Sequence, residues 1–540
     1  MKKFDCLIIG HNEMEIGDYN EIVRNMGEKS GSYRDFSLSV YEANGRIYSP
    51  IDLFNKIINE ENFNKNSENL LKYTEISATI QYLGTFLHRE GLTYDYINLF
   101  QDEKEKLKKI LTENEVLSIV IPTTLYVVPF PIMDIISFVK KYNTTAKIIV
   151  GGPFINTQRK QYDDDVLNMI FSTIDADFYI INGQGELALS NVIYRLKNGG
   201  SFDEVGNIAF RSGSDYVLTT ANEEDNKLEE NMIDWTLFDK ESLGKYVSIR
   251  TSISCPFSCS FCGFPQRMGK YRYIDVDVLE KNLDLLKAHG NIEVINFMDD
   301  TFNIPKDRFK DILRMMIRNK YNFKWNSMYR CQFGDRETIE LMKESGCQGV
   351  FLGLESGSDK ILKNMNKNAS VSDFKKGLGL LNEYDIITYA SFIIGFPGET
   401  KETVKETFDF IEENKPTFFR TQLWYCDHIT PIWNEKEKYK IEGSGFQWSH
   451  ETMEWEVACD QIDKIFVSAK NSIWLPQYKF EITNLYYLLN NGMSIENIKE
   501  LLVGFNMLVG NKLKFEGEKV DESIVLEKIR GICKESFGCL

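Results

Sequence analysis

Three cysteines, Cys255, Cys259 and Cys262, lie close together in the sequence with the spacing C-x3-C-x2-C. Iron–sulfur clusters are held by cysteine thiolates, and four is the usual number. Three thiolates on one short loop would therefore leave one iron of a four-iron cluster free to bind something other than protein. A zinc knuckle is the alternative, but structural zinc sites use four closed ligands, often from C-x2-C or histidine pairs. No such partner lies near this loop in the sequence.

After Cys262 the chain alternates helical and strand-like patterns, which is typical of a β/α barrel. Polar residues follow several of the strand-like stretches, and barrels place their active sites at these strand ends. The residues at these ends are Asp299, Asp300, Arg330, Glu355, Ser356 and Gly395. Taken singly, each has an ordinary explanation, such as an exposed acidic pair, a helix N-cap at Ser356 or a Pro-Gly turn.

The cysteine motif and the strand ends behind it resemble those of radical S-adenosylmethionine (SAM) enzymes. The resemblance implies a 4Fe–4S cluster on Cys255, Cys259 and Cys262. Its open iron would bind the amino and carboxylate groups of SAM, and its reduced form would cleave SAM to a 5′-deoxyadenosyl radical. The resemblance also places Phe261 against the adenine and Gly395 on the strand whose backbone borders that base.

Further SAM contacts follow from the same resemblance. Asp299 and Asp300 lie where the family usually carries a Gly-Gly-Glu stretch that binds the amino group of SAM. Glu355, followed by Ser356, resembles the residue that contacts the ribose or methionine part of SAM. Arg330 lies where a basic partner for such a carboxylate is often found.

The first half of the chain carries a second regular pattern, in which apolar runs alternate with helical stretches from about residue 76. This pattern predicts a doubly wound parallel sheet. In that fold ligands bind beyond the carboxyl ends of the strands, and glycine lets a large ligand approach the backbone closely. The candidate ligand-facing residues are Pro122, Thr123, Thr124, Gly151, Gly152, Gly183, Gly185 and Glu186.

This half resembles the cobalamin-binding domain that precedes the barrel in one class of radical SAM enzymes, class B. The glycine pair at 151–152 and the Gly-Gln-Gly-Glu turn at 183–186 match that class in position and order, and residues 122–124 match the stretch that faces the corrin. The chain has no Asp-x-His-x-x-Gly motif, so the resemblance implies cobalamin bound without a histidine ligand to cobalt. A sheet that is kept as a scaffold after losing its cofactor is the alternative.

From about residue 436 the pattern leaves the barrel and predicts mainly helices. The segment 446–453 is rich in groups that could recognise a substrate. His450 is the candidate base or polar contact near the barrel mouth, with Trp448 as a wall. A helix-capping loop with a tryptophan anchor is the alternative. The segment loosely resembles one in cobalamin-dependent radical SAM enzymes that tailor natural products, including phosphinate P-methylases and peptide-modifying enzymes.

The amino-acid composition limits the kinds of substrate and partner that the protein is expected to bind. The chain carries 80 acidic and 63 basic residues, for a net charge of −17, and broad contacts with a phosphate backbone need clustered Lys and Arg instead. A nucleic-acid substrate is therefore disfavoured. No signal peptide is recognisable, and no apolar run approaches the roughly 20 residues of a membrane span. We expect no membrane contact and a cytoplasmic location, because ten cysteines and an oxygen-sensitive cluster fit a reducing compartment.

These observations predict the α/β fold class. The expected organisation is an N-terminal Rossmann-like parallel sheet of the cobalamin-binding type in residues 1–205, a linker in 206–245, a partial (β/α)6 TIM-like radical SAM barrel in 246–435, and a mainly helical, substrate-related region in 436–540.

The resemblance implies a cobalamin-dependent radical SAM methyltransferase that acts on an unactivated carbon, or on phosphorus, of a peptide or small-molecule natural product. In the implied reaction one SAM methylates cobalamin, a second gives the radical that removes a substrate hydrogen, and the substrate radical takes the methyl group. A flavodoxin or ferredoxin is the expected electron donor.

Three other functions are alternatives to this one. The first is an enzyme of the same architecture that catalyses cyclisation, epimerisation or rearrangement, and the second is a non-catalytic cobalamin or SAM sensor. The third, a methylthiotransferase, is disfavoured because its N-terminal domain would need three cluster cysteines and this one offers only Cys6.

Overall fold

The structure is a computed structural model, and it describes residues 2–60, 75–124, 126–224, 226–478, 480 and 482–537. The chain forms two compact units, each assembled from separate stretches of sequence. The first comprises residues 2–14, 75–256 and 263–292. The second comprises the described residues of 15–60, 257–262 and 293–537. Residues 15–60 belong to the second unit, whereas the strands of the N-terminal sheet belong to the first. The predicted domain boundaries stay a prediction.

The first unit is built around a sheet of mostly parallel strands. Its inner strands are continuous apolar runs such as Leu7-Ile-Ile9 and Ile119-Val-Ile121, and these residues are buried, as a sheet covered on both faces requires. Neighbouring strands pair in parallel up to Phe178–Ile180, and the last two pairings are antiparallel. The predicted Rossmann-like sheet is confirmed. The strand order is Tyr94–Leu99, Lys3–His11, Glu115–Pro122, Lys147–Gly151, Phe178–Ile180, Ile208–Ser212, Asp215–Leu218.

Helices connect these strands and cover the sheet. Side chains such as Leu107, Ile135 and Leu167 enter the same apolar core as the strands, so the helices that carry them each bury one face. The unit also contains the strands Tyr246–Ile249, Ser252–Ile253 and Arg272–Tyr273. Its helices are Ala78–Arg89, Lys104–Glu113, Phe130–Tyr142, Pro153–Gln161, Asp164–Ile174, Glu186–Asn198, Lys240–Leu243, Phe264–Met268 and Val276–His289.

The second unit contains parallel strands that follow one another in chain order, each separated from the next by one or two helices. This succession is that of a β/α barrel, and the predicted barrel-type fold is confirmed. The strands are Val294–Phe297, Lys324–Met328, Cys347–Glu355, Ile387–Ile394, Phe418–Leu423 and Ile473–Trp474. The connecting helices are Lys306–Arg318, Arg336–Glu344, Asp359–Asn364, Val371–Glu383, Lys401–Asn414 and Trp455–Ser468.

The region after residue 436 is mainly helical, as predicted, but it begins with a small antiparallel sheet that the sequence did not indicate. The strands of this sheet are Glu442–Ser444, Gln447–His450 and Met453–Glu454. Its later helices are Ile482–Asn490, Ile495–Gly510 and Glu522–Phe537. Within the part of the chain that the structure describes, every helix is too short or too polar to cross a membrane.

Residues 15–60 pack on the barrel and its C-terminal region. They form the helices Ile16–Asn25, Gly31–Ser37 and Pro50–Glu60 and the hairpin Tyr41–Ala43 and Arg46–Tyr48. Arg34 forms an ion pair with Asp463, and the phenol of Tyr41 donates a 2.7 Å hydrogen bond to Glu522. Long-range contacts of this kind place the segment in the second unit.

Candidate active site

The loop that carries the three cysteines is closed at its base by a short antiparallel ladder between Ser252–Ile253 and Arg272–Tyr273. The hydroxyl of Ser254 donates a 2.7 Å hydrogen bond to the carbonyl oxygen of Gly269. These contacts fix the entry and exit of the loop. The loop presents two half-buried thiols and one buried thiol, those of Cys255, Cys262 and Cys259.

One turn of the second unit holds the middle of this loop. It consists of residues 364–367, at the end of the helix Asp359–Asn364, and we call it the anchor turn. The backbone N–H of Ser260 donates to the carbonyl oxygen of Met365 at 2.8 Å. The hydroxyl of Ser260 donates to the carbonyl oxygen of Asn364 at 2.7 Å.

The anchor turn also grips the loop on the other side of Cys259. The side-chain amide of Asn366 donates to the carbonyl oxygen of Ser258 at 2.9 Å and to its hydroxyl at 3.1 Å. Since Ser258 and Ser260 flank Cys259, the backbone is fixed on both sides of that cysteine. Residues 258–260 of the loop are therefore held by hydrogen bonds to the anchor turn.

The donor set of the loop fits a 4Fe–4S cluster. It offers three thiols, one fewer than the number that closes such a cluster completely, so one iron would remain open to a small molecule. Within the described residues, no group of three or more His, Cys, Asp and Glu side chains is arranged to hold a single metal ion. A four-iron cluster asks for a wider spacing, because each thiolate binds a separate iron.

Glu355, at the carboxyl end of its strand, forms a buried ion pair with Lys367 of the anchor turn. The Nζ atom lies 2.9 Å from Oε1, and the two side chains are only 7% and 11% exposed. Glu355 has a left-handed φ of +70°, a strained conformation that persists only where the surroundings support it. Gly353 leaves room for the carboxylate, because a Cβ atom there would lie 2.5 Å from Oε1 of Glu355.

Arg330 does not pair with Glu355, so the predicted pairing is wrong. Its guanidinium carbon lies 3.7 Å from the ring centroid of Phe257, and the guanidinium donates to the carbonyl oxygen of Lys367. The aromatic face and the carbonyl dipole attract the cation, which places Arg330 between the cysteine loop and the anchor turn. A direct role of Arg330 in cofactor binding stays a prediction.

The ring of Phe261 lies beside the buried ion pair. Its centroid is 5.5 Å from Nζ of Lys367, and 6.5 Å from the ring of Phe396, to which it is nearly perpendicular. Phe261 therefore brings the cysteine loop next to the strand end at Gly395. Its predicted contact with adenine remains to be tested.

The other predicted SAM residues lie at the expected strand ends. Asp299 is buried and Asp300 half-buried, directly after the strand Val294–Phe297. Ser356 is fully buried, and its hydroxyl accepts a 3.1 Å hydrogen bond from the N–H of Ser358. Ser356 thus shapes the turn after Glu355, and its cofactor contact stays a prediction.

His450 packs against the strand end at Gly395. Its Nε2 lies 3.0 Å from the carbonyl oxygen of Gly395, and its Nδ1 lies 3.2 Å from the hydroxyl of Thr452. Its ring is parallel to that of Trp448, at 5.2 Å. Desolvation by burial lowers the pKa of His450 to about 4. Because the imidazole is neutral near pH 7 and both ring nitrogens are occupied, this geometry favours the tryptophan-anchor alternative over a general base.

Glu399 is a buried carboxyl group near the strand end at Gly395, and the sequence did not single it out as a site residue. The N–H of Gly395 donates to its carboxylate, and the side chain is fully buried. Desolvation by burial raises the pKa of Glu399 to about 8. Glu399 is therefore mostly protonated at neutral pH, which lowers the cost of burying it.

In the first unit, the strand Glu115–Pro122 ends in two threonines with different environments. Thr123 is buried and binds the neighbouring strand, since its N–H donates to the carbonyl oxygen of Gly151 at 2.7 Å. Thr124 is exposed. Gly152 has a φ of +114°, and a Cβ atom there would lie 2.9 Å from Oγ1 of Thr123. Thr124 is thus the member of this pair that is accessible to a ligand.

The remaining glycines of the predicted cofactor edge are required by packing within the unit. A Cβ atom at Gly151 would lie 2.8 Å from Cβ of Ile180, and one at Gly185 would lie 2.3 Å from Cγ2 of Ile180. A Cβ atom at Gly183 would lie 2.6 Å from the carbonyl oxygen of Arg267. Close approach to a cofactor at these glycines stays a prediction.

The chain's own carboxylates occupy the N-terminus of the helix Glu186–Asn198. Glu186 accepts a 3.1 Å hydrogen bond from the N–H of Gly185. Glu224 accepts from the N–H groups of Leu187 and Ala188 at 2.9 and 3.0 Å, and desolvation by burial raises its pKa to about 7. The positive end of the helix dipole is therefore already satisfied within the protein.

Residues 249–411 match the model of the Radical SAM superfamily. This part of the chain therefore resembles a radical SAM domain. The match includes Cys255, Cys259 and Cys262, and it agrees with the resemblance that this cysteine motif carries.

Curated relatives of the chain are named for several activities. An uncharacterized methyltransferase of Pyrococcus horikoshii is 26% identical over 284 residues, which cover 51% of this chain and 59% of the relative. Anaerobic magnesium-protoporphyrin IX monomethyl ester cyclase of Cereibacter sphaeroides is 29% identical, covering 47% and 44%. Bacteriochlorophyllide d C-12(1)-methyltransferase of Chlorobaculum tepidum is 32% identical, covering 32% and 38%. The chain spans about half the length of these relatives.

Two solved structures share the fold. TsrM of Kitasatospora setae, a radical SAM methyltransferase with cobalamin and a 4Fe–4S cluster bound, has a TM-score of 0.61 at 14% identity and covers 86% of this chain and 97% of its own. OxsB, a cobalamin-dependent radical SAM enzyme with aqua-cobalamin and SAM bound, has a TM-score of 0.55 at 15% identity and covers 93% and 85%. These likenesses confirm the predicted combination of a Rossmann-like and a barrel-type fold.

The anchor turn is the main part of the site that the sequence did not reveal. Its sequence, Asn-Met-Asn-Lys at 364–367, contains two asparagines, which tolerate left-handed backbone, and Asn366 has a φ of +48°. That composition indicates a turn. It does not indicate that Lys367 would be buried against Glu355, because most lysines after a helix face water.

Proposed function

We propose that the protein is a cobalamin-dependent radical SAM methyltransferase that methylates an unactivated carbon, or alternatively phosphorus, of a peptide or small-molecule natural product. One observation carries the proposal: a single chain combines the anchored cysteine loop with an N-terminal parallel sheet, and the whole has the fold of TsrM. Two of the relatives are named methyltransferases, which supports the same reaction class.

The chain's own residues would bind and orient the cofactors. Cys255, Cys259 and Cys262 would hold the cluster, while Phe261 and Glu355 would position SAM at the strand ends of the second unit. When bound, the cofactors supply reductive cleavage of SAM and a transferable methyl group. The protein supplies a loop held by the anchor turn, and a buried setting around Glu355 in which electrostatic contacts are strong.

In the first unit we propose that the strand edge around Thr124 faces cobalamin. The chain has no Asp-x-His-x-x-Gly motif, so the cofactor would bind without a histidine ligand from that motif. An external one-electron donor of the flavodoxin or ferredoxin type would reduce the cluster.

A second candidate function is ring formation without methyl transfer. It is favoured by the relative named anaerobic magnesium-protoporphyrin IX monomethyl ester cyclase. A methylthiotransferase fits less well, since the only cysteine before the loop, Cys6, is fully buried and burial raises its pKa to about 12. Such a thiol is poorly suited to hold a second cluster.

The first experiment reconstitutes the protein anaerobically with iron, sulfide and hydroxocobalamin, desalts it and records its absorption spectrum. We expect one corrin retained per chain beside the cluster band. The variant Thr124→Arg should lose corrin but keep the cluster, whereas Thr112→Arg, on an exposed helix face, should keep both. A cluster without corrin in the unmodified protein would remove methyl transfer from the proposal and leave the ring-forming candidate.

A second experiment distinguishes the two reactions once a substrate is found. Methylation adds one methyl group to the product and consumes two SAM per turnover, with one 5′-deoxyadenosine released. Ring formation leaves no added methyl group. The product mass and the ratio of SAM consumed to 5′-deoxyadenosine formed therefore decide between them.

A further inference from the structure

The anchor turn touches more of the site than any single predicted motif does. Through Asn364 and Met365 it accepts hydrogen bonds from Ser260, and through Asn366 it donates to Ser258. These are contacts with the cysteine loop. On the anchor turn, the contacts of residues 364 and 365 are made by backbone carbonyl groups, and those of Asn366 are made by its exposed side chain.

The same four residues reach the strand ends that are expected to contact SAM. The side-chain amide of Asn364 donates to the carbonyl oxygen of Pro397 at 3.1 Å. The carbonyl oxygen of Lys367 accepts from the guanidinium of Arg330, and its ammonium pairs with Glu355 at 2.9 Å. One turn thus connects the cysteine loop with three of the strand ends.

Lys367 is the charged residue of the anchor turn. Its residue is 6% exposed, as is expected only of a lysine whose charge is paired. The ammonium lies 2.9 Å from Glu355 on one side and 5.5 Å from the ring of Phe261 on the other. Phe261 directly precedes Cys262, so this charge lies between the expected SAM contact and a cluster ligand.

We propose that Lys367 is a positioning residue that couples SAM binding at Glu355 to the reduction of the cluster. The carboxylate of Glu355 partly cancels the field of the ammonium at the cysteine loop. A SAM group that donates a hydrogen bond to Glu355 competes with Lys367 for the same carboxylate. The positive potential of the ammonium at the cysteine loop then increases. A positive charge in a low-dielectric setting favours the more negative, reduced cluster.

The anchor turn also couples SAM binding to the cysteine loop through the position of its backbone. Any shift of Lys367 that follows SAM binding moves residues 364–366, which hold the loop on both sides of Cys259. Thermodynamic linkage makes the effect reciprocal, so the reduced cluster must then bind SAM more tightly than the oxidised cluster by the same factor. The inference rests on the radical SAM site alone and holds whether or not the reaction is a methyl transfer.

The test measures the midpoint potential of the reconstituted cluster, with and without SAM, by a redox titration followed by electron paramagnetic resonance. We expect SAM to raise the potential of the unmodified protein. Lys367→Met removes the charge but keeps an unbranched side chain that is one atom shorter. In this variant we expect the SAM-induced change to fall by about tenfold in affinity ratio, equal to about 59 mV for a one-electron couple.

Matched variants separate this role from a purely structural one. Lys343→Met removes an exposed lysine elsewhere in the unit and should leave the SAM-induced change intact. Asn366→Gly removes the bonds to Ser258 while tolerating the left-handed backbone, and it should reduce the change without altering the charge. It also serves as the second test if Lys367→Met does not retain a cluster. Iron content is measured for every variant.

The outcome that overturns the proposal is an unchanged SAM-induced shift in a cluster-loaded Lys367→Met or Asn366→Gly protein. Failure of methyl transfer with an intact coupling would instead count against the proposed function and leave this inference standing. The two results are therefore distinguishable.

Discussion

One guanidinium nitrogen of Arg420 donates hydrogen bonds to both carboxylate oxygens of Asp35, each at 3.1 Å. Arg420 is only 1% exposed, and it also donates to the hydroxyl of Ser39 at 2.9 Å. The pair joins the helix Gly31–Ser37 to a strand of the barrel-type sheet. It shows that the N-terminal segment is a structural part of the second unit.

Removal of this carboxylate should destabilise the second unit. Asp35→Ala would leave the buried guanidinium of Arg420 without its counter-charge, and such a loss costs about 3–5 kcal/mol. We expect a clear fall in the urea midpoint of unfolding. Glu115→Ala, which removes an exposed partner of Lys3, should change stability by less than about 1 kcal/mol. Equal effects of the two substitutions would contradict the structural role of the pair.

Alanine at Gly353 should weaken SAM binding. Its Cβ atom would lie 2.5 Å from Oε1 of Glu355, so the carboxylate must leave the position in which it pairs with Lys367. We expect at least about a tenfold loss of SAM affinity, or 1.4 kcal/mol, measured by equilibrium dialysis on cluster-loaded protein. Gly379→Ala is the matched control, because open space surrounds that helical glycine. It should be neutral or stabilise by up to about 1 kcal/mol.

Cys259→Ala should abolish the cluster and all cleavage of SAM. The remaining two thiols of the loop cannot replace the third ligand. Cys347→Ala is the control, since that thiol is buried in a strand and burial holds its pKa far above the neutral range. Iron content and 5′-deoxyadenosine formed under reducing conditions report the result. Cleavage of SAM by the Cys259 variant would refute the assignment of the loop.

Stability should fall as the pH rises through the pKa of Glu399. Burial raises that pKa from the ordinary 4.5 to about 8, so between these values the folded protein holds a proton that the unfolded chain has released. The contribution is fully present below about pH 4.5 and is lost as the pH rises through 8. The raised pKa of Glu224 acts in the same direction.

The variant Glu399→Gln isolates this contribution. Its amide stays neutral at every pH and can still accept the hydrogen bond from Gly395. We expect the free energy of unfolding to fall less between pH 6 and pH 9 in this variant than in the unmodified protein. Urea titrations at both pH values test this, and identical slopes for the two proteins would show that Glu399 does not titrate in this range.

A structural His450 predicts a small effect on catalysis. Removal of a general base costs about 100-fold or more in rate, whereas His450→Gln keeps a donor for the carbonyl oxygen of Gly395. We expect SAM cleavage within a few-fold of the unmodified rate. A loss of 100-fold in a folded, cluster-loaded variant would restore the catalytic role.

The same histidine should affect stability at low pH. Burial lowers the pKa of His450 from 6.5 to about 4, so its contribution is present above pH 6.5 and is lost as the pH falls toward 4. The variant His450→Gln should therefore lose less stability between pH 6.5 and pH 4 than the unmodified protein. Urea midpoints at the two pH values provide the measurement.

Local patterns predicted the parts of the site that depend on neighbouring residues in the sequence. The spacing of Cys255, Cys259 and Cys262 identified the cysteine loop. The alternation of apolar runs and helical stretches predicted both sheets, because strand and helix periods are written into short windows of sequence. Glu355 was placed at its strand end for the same reason.

Contacts between residues far apart in the sequence could not be predicted from local patterns. The partner of Glu355 was expected to be Arg330 and is Lys367, since a lysine and an arginine in similar turns look equally suitable until the backbone positions them. Residues 15–60 belong to the second unit through long-range contacts such as the one between Asp35 and Arg420, which are 385 residues apart in the sequence. His450 was predicted to be a base because its burial beside Trp448 could not be foreseen. That burial depends on the small antiparallel sheet, which the hydrophobic periodicity of the sequence did not indicate.

The division of the second unit into distant stretches of sequence bears on how the protein is made. Asp35 leaves the ribosome 385 residues before Arg420. At roughly 5–20 residues per second, synthesis of that interval takes about 20–80 s. During that time the helix Gly31–Ser37 exists without the strand that completes it, while the first sheet can already assemble. Nascent chains halted before residue 420 should thus be the form of this protein most dependent on chaperones.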